Sequence, residues 1–289
     1  MSIGTVENHR KREEGVLVYP VYSRRSGGLS VGINLFPDSK ICSFDCPYCE
    51  VFPFSAGADF TLPRLETELE AALADARKRN IPVRDICFSG NGEPTQSPHF
   101  PAALEKAFRL RDREATEAEL VLITNGTGLL REECFELLRG AACGDHAAEN
   151  VQDKDRALRI WLKLDAGTPA WYRAMNRSSV SFELLLEKIL AFVKCAPVIL
   201  QTMICTIDGK APPAEEAQAW ETLVLKLAHA APRNSAFGLR TVQIYGKARS
   251  APEDPLAAAL PETFLQVRAA SLRSTLNSAG VDIPVFVYP

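Results

Sequence analysis

Three cysteines stand close together near the start of the chain, in the segment KICSFDCPYCEVF. Cys42, Cys46 and Cys49 follow the spacing C-x₃-C-x₂-C, and thiolates on one short loop can bind a common metal centre. Five further cysteines are scattered among apolar residues, where a thiol usually acts as a small hydrophobic side chain: Cys87, Cys134, Cys143, Cys195 and Cys205. The group of three is therefore the first candidate for chemistry.

A dithiol redox site is one interpretation of this group. Cys46-Pro47-Tyr48-Cys49 spells the CPYC of glutaredoxins, and this predicts a thiol–disulfide oxidoreductase that uses Cys46 and Cys49. That interpretation gives no role to Cys42.

A zinc-stabilised binding module is a second interpretation. Structural zinc is usually held by four nitrogen or sulfur ligands, often from two CxxC pairs. The chain offers one CxxC pair, Cys46 and Cys49. Its four histidines do not stand at ligand spacing to that pair: His9, His99, His146 and His229.

An iron–sulfur cluster is the third interpretation. An ordinary [4Fe–4S] cluster is bound by four cysteine thiolates. Three thiolates leave one iron without a protein ligand, and an open coordination position is how a metal site keeps room for a substrate or cofactor. Under this interpretation Cys42, Cys46 and Cys49 are both the metal ligands and the catalytic residues of a reactive cluster.

A second motif, Ser89-Gly90-Asn91-Gly92-Glu93, follows an apolar run that ends at Phe88. Glycines at the end of a strand let the backbone approach a ligand closely. A glutamate there can accept a charge-assisted hydrogen bond from an ammonium group. Taken alone, a Gly-Asn-Gly segment is more typical of a turn. Its place one predicted helix and one predicted strand after the cysteines favours a cofactor loop.

Together these residues resemble the radical S-adenosylmethionine (SAM) superfamily, whose hallmark is three cysteines with an aromatic residue beside the last one, here Tyr48. The resemblance implies that the uncovered iron binds the amino and carboxylate groups of SAM. It also implies that an electron from the cluster splits the sulfonium and yields a 5′-deoxyadenosyl radical, which abstracts hydrogen. The expected SAM-binding residues of these motifs are Tyr48, Gly90, Asn91, Gly92 and Glu93.

A wider set of segments resembles one branch of that superfamily, related to the enzymes that form the tricyclic wyosine base of tRNA. These segments are SRRSGGLSVGINLFPDSKICSFDCPYCEVF, LKLDAG-x₇-MNR and VQIYGKAR. The resemblance spans residues 22–249 and implies an electron donor such as flavodoxin or ferredoxin. By analogy alone, tRNA is a candidate for the otherwise unidentified substrate.

The elements that must position these motifs alternate between strands and helices. Strands are predicted at 16–22, 29–35, 83–88, 119–123, 157–164, 198–204, 239–245 and 281–287. Amphipathic helices are predicted at 62–79, 182–194, 214–229 and 262–276, and a polar surface loop at 141–156. Alternating βα units predict a parallel sheet in an α/β protein. The resemblance implies the partial (β/α)₆ TIM-like barrel of radical SAM enzymes.

The predicted organisation is a single radical SAM domain over residues 1–289. Its core covers residues 22–249, preceded by an N-terminal extension at 1–21 and followed by a C-terminal helix and strand at 260–289.

Polar residues near the carboxyl ends of the later strands are further candidates, because barrel enzymes place their working residues there. Lys163 and Asp165 share one face of a predicted strand, and buried charges are costly unless they are paired or bind a ligand. A structural ion pair and contact with SAM or substrate both remain open. Gln201 and Tyr245 are expected to face the same interior, and Asn125 follows another strand in a turn that can reach the cofactor.

Composition limits the class of protein. The chain has 33 Lys plus Arg and 36 Asp plus Glu, a net charge of −3, which gives no electrostatic footprint for nucleic acid. No apolar run approaches the ~18 residues that span a bilayer. The N-terminus, MSIGTVENHRKREEG, is charged where a signal peptide needs an apolar core. We therefore expect a cytoplasmic protein with no membrane partner and reduced cysteines.

Overall fold

A computed structural model of the chain describes residues 3–5, 15–51, 53–145, 157–232, 235–251 and 254–289. The chain divides into two compact units. The first unit comprises Met1–Cys42, Val51–Thr124 and Gly140–Arg159, and the second comprises Ser43–Glu50, Asn125–Arg139 and Ile160–Pro289. Cys42 thus belongs to the first unit, and Cys46 and Cys49 belong to the second.

The first unit has four strands in the order β1-β2-β3-β4. They are β1 (Val18–Ser23), β2 (Gly28–Ile33), β3 (Val83–Phe88) and β4 (Glu119–Thr124). β1 pairs antiparallel with β2, while β2, β3 and β4 are parallel. Helices α1 (Leu62–Lys78) and α2 (Phe100–Glu114) connect the parallel strands. This is the βα alternation that the sequence predicts.

Local signals in the sequence explain where α1 begins and which face it buries. Thr61 is the N-cap, and its side chain accepts a hydrogen bond from the backbone N–H of Arg64. The helix buries one apolar stripe, in which Leu65 and Leu69 are fully buried. The glycine-rich motif follows directly on β3, whose last four residues are buried.

Four parallel strands of the second unit follow in the order β5-β6-β7-β8. They are β5 (Leu158–Lys163), which starts in the first unit, β6 (Pro197–Ile204), β7 (Gly238–Gly246) and β8 (Val285–Tyr288). The helices are α3 (Glu132–Cys143), which ends in the first unit, α4 (Pro169–Asn176), α5 (Phe182–Val193), α6 (Ala214–Ala228) and α7 (Glu262–Ser278). Leu162, Leu200 and Ile244, on three neighbouring strands, are each 0% exposed and form part of the core.

The short helix α4 is anchored at its beginning by a carboxylate of α6. Thr168 caps α4 by accepting a hydrogen bond from the backbone N–H of Trp171. Glu216 in turn accepts hydrogen bonds from the Gly167 backbone N–H and, over 2.6 Å, from the Thr168 hydroxyl. These contacts hold the beginning of the helix that ends at Asn176.

The structure differs from the sequence prediction at a few boundaries. β8 begins at Val285 rather than at position 281, because Pro284 has no backbone N–H to donate to a neighbouring strand. α3 extends to Cys143, into the stretch predicted as a loop from position 141, and residues 146–156 of that loop lie outside the described residues. None of the helices among the described residues combines the length and the apolar composition that a membrane-spanning helix needs.

Candidate active site

The three clustered cysteines lie on irregular backbone between β2 and α1. All eight cysteines of the chain are thiols rather than disulfides. Cys42 and Cys49 are half-buried and Cys46 is buried. A turn links the last two, with the Cys49 backbone N–H donating to the Cys46 carbonyl over 2.9 Å. Cys46 and Cys49 are thus held in one turn.

The environment of Cys46 favours the thiol until a cation is present. Burial raises the pKa of Cys46 to about 11, a shift that the positive charge of Lys163 opposes and the negative charge of Asp165 reinforces. A bound metal supplies the positive charge that deprotonates such a thiol. Among the described residues, no three His, Cys, Asp or Glu side chains surround a position for a single metal ion. A cluster in which each thiolate binds a different iron does not require one shared point.

The glycine-rich motif forms a bridge to the residue that precedes Cys42. Ile41 and Gly92 pair as a parallel β-bridge. The Ile41 backbone N–H donates to the Asn91 carbonyl over 3.2 Å, and the Glu93 backbone N–H donates to the Ile41 carbonyl over 2.9 Å. A Cβ atom at position 92 would lie 1.8 Å from the Ile41 carbonyl oxygen, so that only glycine fits. The start of the cysteine loop is therefore attached to the glycine-rich motif.

Asn34 shapes the rest of that motif. Its side-chain oxygen accepts hydrogen bonds of 3.1 Å from the backbone N–H groups of Phe36 and Asn91. Gly90 has φ +121°, and a Cβ there would lie 2.8 Å from the same oxygen. The side-chain amide of Asn91 donates to the Phe36 carbonyl over 3.0 Å. Gly90 and Asn91 thus define the conformation of the loop, and their contact with a cofactor stays a prediction.

Glu93 is a buried carboxylate, 3% exposed, whose position is fixed by threonines. Its Oε1 accepts hydrogen bonds from the Thr95 backbone N–H over 3.2 Å and from the hydroxyls of Thr95 and Thr124 over 2.7 Å each. These donors stabilise the negative charge and orient the group. The carboxylate is thereby preorganised as an acceptor for a cationic ligand.

Polar side chains of the second unit meet at the carboxyl ends of β5, β6 and β7. In the register of these strands, Lys163 lies opposite Gln201, and Gln201 lies opposite Gln243. The Gln201 amide donates to Gln243 Oε1 over 2.6 Å. Lys163 Nζ donates to the Tyr245 hydroxyl over 2.6 Å and lies 3.4 Å from Asp165 Oδ2. The four residues predicted from strand position therefore do lie together, and Lys163 and Asp165 form an ion pair.

Asp165 connects this group to the cysteine loop. Its Oδ1 accepts from the Met203 backbone N–H over 2.8 Å, and its Oδ2 accepts from the Tyr48 hydroxyl over 2.5 Å. Burial, followed by the charge of Asp165, raises the pKa of Tyr48, so the phenol remains a donor. Burial lowers the pKa of Lys163, but the charges of Asp165 and Tyr245 outweigh it and the net shift is upward. Lys163 therefore stays cationic in a buried place.

Asn176 is a contact of the cysteine loop that sequence reasoning missed. Its side-chain amide donates to Asp165 Oδ2 over 3.2 Å and to Cys46 Sγ over 3.6 Å. Its carbonyl accepts from the Asp45 backbone N–H over 2.9 Å. Asn176 belongs to the MNR segment, and the family resemblance of that segment is the only signal in the sequence that points to this residue.

Asn125 takes a structural position in the turn after β4. Its side-chain amide donates to the Ser43 hydroxyl over 3.0 Å, and its oxygen accepts from the Thr127 backbone N–H over 3.0 Å and hydroxyl over 2.8 Å. These bonds attach the cysteine loop to the turn. Contact between Asn125 and a cofactor stays a prediction.

Part of the chain matches a known protein family. A family model described as the radical SAM superfamily matches residues 36–209, a range that includes the cysteine loop and the glycine-rich motif. A UPF0026 protein of Helicobacter pylori strain 26695 is 32% identical over 93 residues, which are 31% of this chain and 29% of that protein. The matched part is less than a third of that relative's length.

Solved structures of similar fold include SuiB of Streptococcus suis bound to the precursor peptide SuiA, with TM-score 0.59 and 11% identity over 87% of this chain and 47% of SuiB. SuiB bound to S-adenosylmethionine matches with TM-score 0.59 and 12% identity over 87% of this chain and 49% of that chain. Native anSMEcpe with bound AdoMet matches with TM-score 0.50 and 14% identity over 86% of this chain and 62% of that chain. These similarities confirm the predicted fold class, an α/β partial barrel of radical SAM type.

Proposed function

The chain belongs to the radical SAM superfamily, and from that premise we propose that it cleaves S-adenosylmethionine reductively at a [4Fe–4S] cluster bound by Cys42, Cys46 and Cys49. The observation that carries the proposal is the range of the family match, residues 36–209, which contains both the three cysteines and the glycine-rich motif. The β-bridge between Ile41 and Gly92 joins the start of the cysteine loop to that motif.

The donor set of the loop suits this cofactor. Thiolates are the preferred ligands of iron–sulfur clusters. The cluster, when bound, supplies an electron and one open coordination position for the amino acid part of SAM. Asn176 donates to Cys46 Sγ, a hydrogen bond that stabilises negative charge on the sulfur. The Tyr48 hydroxyl is held by Asp165, which fixes the backbone between Cys46 and Cys49.

Residues on both motifs would hold SAM. Glu93, oriented by Thr95 and Thr124, is the acceptor for the ammonium of the methionyl group. Gly92 lets the backbone pass close to a ligand. In the second unit, the cation of Lys163 and the hydroxyl of Tyr245 present donors to a ligand at the carboxyl ends of the strands. Each of these groups binds or orients, and none needs to react covalently.

The substrate and the electron donor belong to the proposal as well. By analogy with the wyosine-forming enzymes alone, tRNA is a candidate substrate, and flavodoxin or ferredoxin is the candidate electron donor. SuiB binds a precursor peptide, but at 11% identity its similarity concerns the fold. We also propose that the two compact units act together as a single radical SAM domain over residues 1–289.

Anaerobic purification followed by metal and sulfide analysis tests the cluster. We expect a brown protein with about four irons per chain, and 5′-deoxyadenosine formed from SAM when dithionite is added. A colourless protein that contains zinc would support the binding module. A metal-free protein that reduces mixed disulfides without Cys42 would support the oxidoreductase. Either result would overturn the proposal.

A further inference from the structure

Tyr172, in the short helix α4, carries a buried hydroxyl that the protein alone does not satisfy. The residue is 3% exposed. Its hydroxyl oxygen makes no hydrogen bond with any residue that the structure describes. Burying a hydroxyl without a partner is unfavourable, and buried polar groups nearly always have one. The Tyr172 hydroxyl therefore lacks an acceptor.

The polar side chain beside Tyr172, that of Ser178, is bound to backbone groups instead. The Ser178 hydroxyl donates to the Ser43 carbonyl over 3.1 Å and accepts from the Val180 backbone N–H over 3.2 Å. Burial raises the pKa of Tyr172, a shift that the Ser178 hydroxyl opposes without reaching hydrogen-bond geometry. The phenol of Tyr172 thus keeps its proton and can donate it.

The ring of Tyr172 packs against the cysteine loop. Its centroid lies 5.7 Å from that of Phe44, in an edge-to-face arrangement, and 5.0 Å from that of Phe182. Phe44 stands two residues before Cys46. Aromatic neighbours offer a trapped water few of the polar partners that it needs. These contacts favour an acceptor that belongs to the cysteine loop.

The face of α4 that carries Tyr172 is the face that contacts this loop. Asn176 follows Tyr172 by four residues, and residues four apart lie on one side of a helix. The Asn176 amide donates to Cys46 Sγ over 3.6 Å, and its carbonyl accepts from the Asp45 backbone N–H over 2.9 Å. One turn of α4 therefore brings two side-chain donors to the cysteine loop, and only the donor at Asn176 has a sulfur partner in the protein alone.

We propose that the Tyr172 hydroxyl donates a hydrogen bond to an anionic sulfur of the iron–sulfur cluster and so stabilises its reduced state. The acceptor is either a thiolate of the cysteine loop or a bridging sulfide, and hydrogen bonds to both kinds of sulfur help to set the reduction potential of such a cluster. The inference rests on the proposed function, because this acceptor exists only when the loop binds its cluster.

The stability of the metal-free, full-length protein provides the first test. Tyr172→Phe removes the hydroxyl and keeps both ring contacts, so the denaturation midpoint should rise or stay unchanged. Tyr19→Phe is the matched control, because the Tyr19 hydroxyl is hydrogen-bonded to that of Ser89 over 2.7 Å, and its midpoint should fall. A lower midpoint for Tyr172→Phe would show that the hydroxyl is already bonded, for instance to a buried water, and would overturn the proposal.

The protein reconstituted with iron and sulfide provides the second test, made without SAM. At equal iron and sulfide content, Tyr172→Phe should shift the reduction potential of the cluster to a more negative value in an EPR-monitored titration. It should also release iron to a chelator about tenfold faster, since loss of a partner of a metal ligand weakens metal binding. Tyr19→Phe should do neither. An unchanged potential in the Tyr172 variant overturns the proposal.

Resonance Raman spectra of the same proteins identify the acceptor. Reconstitution with heavy-isotope sulfide marks the bands of the bridging sulfides, and the unmarked iron–sulfur bands belong to the thiolates. A shift of the unmarked bands in Tyr172→Phe assigns the acceptor to a thiolate, and a shift of the marked bands assigns it to a sulfide. Identical spectra overturn the proposal.

Failure of this inference and failure of the proposed function give different results. A cluster whose potential responds to Tyr172→Phe, in a protein that forms no 5′-deoxyadenosine, contradicts only the proposed function. A protein that cleaves SAM and has the same potential with and without the hydroxyl contradicts only the inference. A protein that takes up no iron contradicts both.

Discussion

The side-chain amide of Asn176 donates a hydrogen bond to the sulfur of Cys46 over 3.6 Å. The same amide donates to Asp165, so its direction is set by a second acceptor. α4 ends at Asn176 because Arg177 adopts a left-handed conformation with φ 46°. One residue at the end of a short helix therefore controls the polarity around one of the proposed cluster ligands.

Replacing Asn176 by Ala should make the reduction potential of the cluster more negative. A hydrogen bond to a cluster sulfur stabilises the reduced state, which carries more negative charge. Losing a partner of a metal ligand typically lowers activity about 10- to 100-fold. An EPR-monitored redox titration and the rate of 5′-deoxyadenosine formation measure the two effects. Asn277→Ala, on the exposed side of α7, is the matched control, and equal potentials in both variants would refute the prediction.

Replacing any one of Cys42, Cys46 and Cys49 by Ala should remove SAM cleavage, because each thiolate is proposed to bind a different iron. Iron content and 5′-deoxyadenosine formation are the measurements. Cys195→Ser is the control, because this half-buried cysteine lies at the end of α5, where its thiol donates to helix carbonyls. A Cys42→Ala protein that still cleaves SAM would be inconsistent with the ligand set.

The fold was predictable where local signals are strong. The apolar run of β3 predicts its observed bounds, Val83–Phe88, and α1 differs from its prediction by one residue at its end. α4 has only eight residues, too few to display a clear apolar stripe. α2 buries Arg111 on its apolar side, which interrupts the pattern that would identify it. The shortness of α4 and the buried charge of α2 explain why the apolar pattern does not predict these two helices.

The site was predictable to the extent that it lies in short motifs. The cysteines and the glycine-rich motif are recognised by spacing within a few residues. The contact of Asn176 with Cys46 joins positions that are 130 residues apart, and no local pattern reports it. Tertiary packing decides this contact.

Replacing Glu93 by Gln should weaken SAM binding about 10- to 100-fold, because a hydrogen bond to a charged group contributes about 1.5–3 kcal/mol. Glutamine keeps an oxygen that can accept from Thr95 and Thr124, so the loop should keep its conformation. Equilibrium binding of SAM to the iron-loaded protein is the measurement, with iron content expected to be unchanged. Glu105→Gln, on the exposed face of α2, is the control. Unchanged SAM affinity in the Glu93 variant would remove this residue from the site.

Replacing Gly92 by Ala should destabilise the first unit by about 3 kcal/mol, the upper range for overpacking a rigid site. The new Cβ would lie 1.8 Å from the Ile41 carbonyl oxygen, and backbone cannot move aside as a flexible side chain can. Gly57→Ala is the matched control, because a Cβ added at Gly57 would have no atom within 4 Å. Only the positive φ of Gly57, +63°, opposes that substitution, and its expected cost is about 1 kcal/mol. Denaturant unfolding compares the two variants. Since the β-bridge to Ile41 precedes Cys42, the Gly92 variant should also lose iron during purification, whereas the Gly57 variant should retain it. Equal stability and iron content in the two variants would show that the bridge does not hold the cysteine loop.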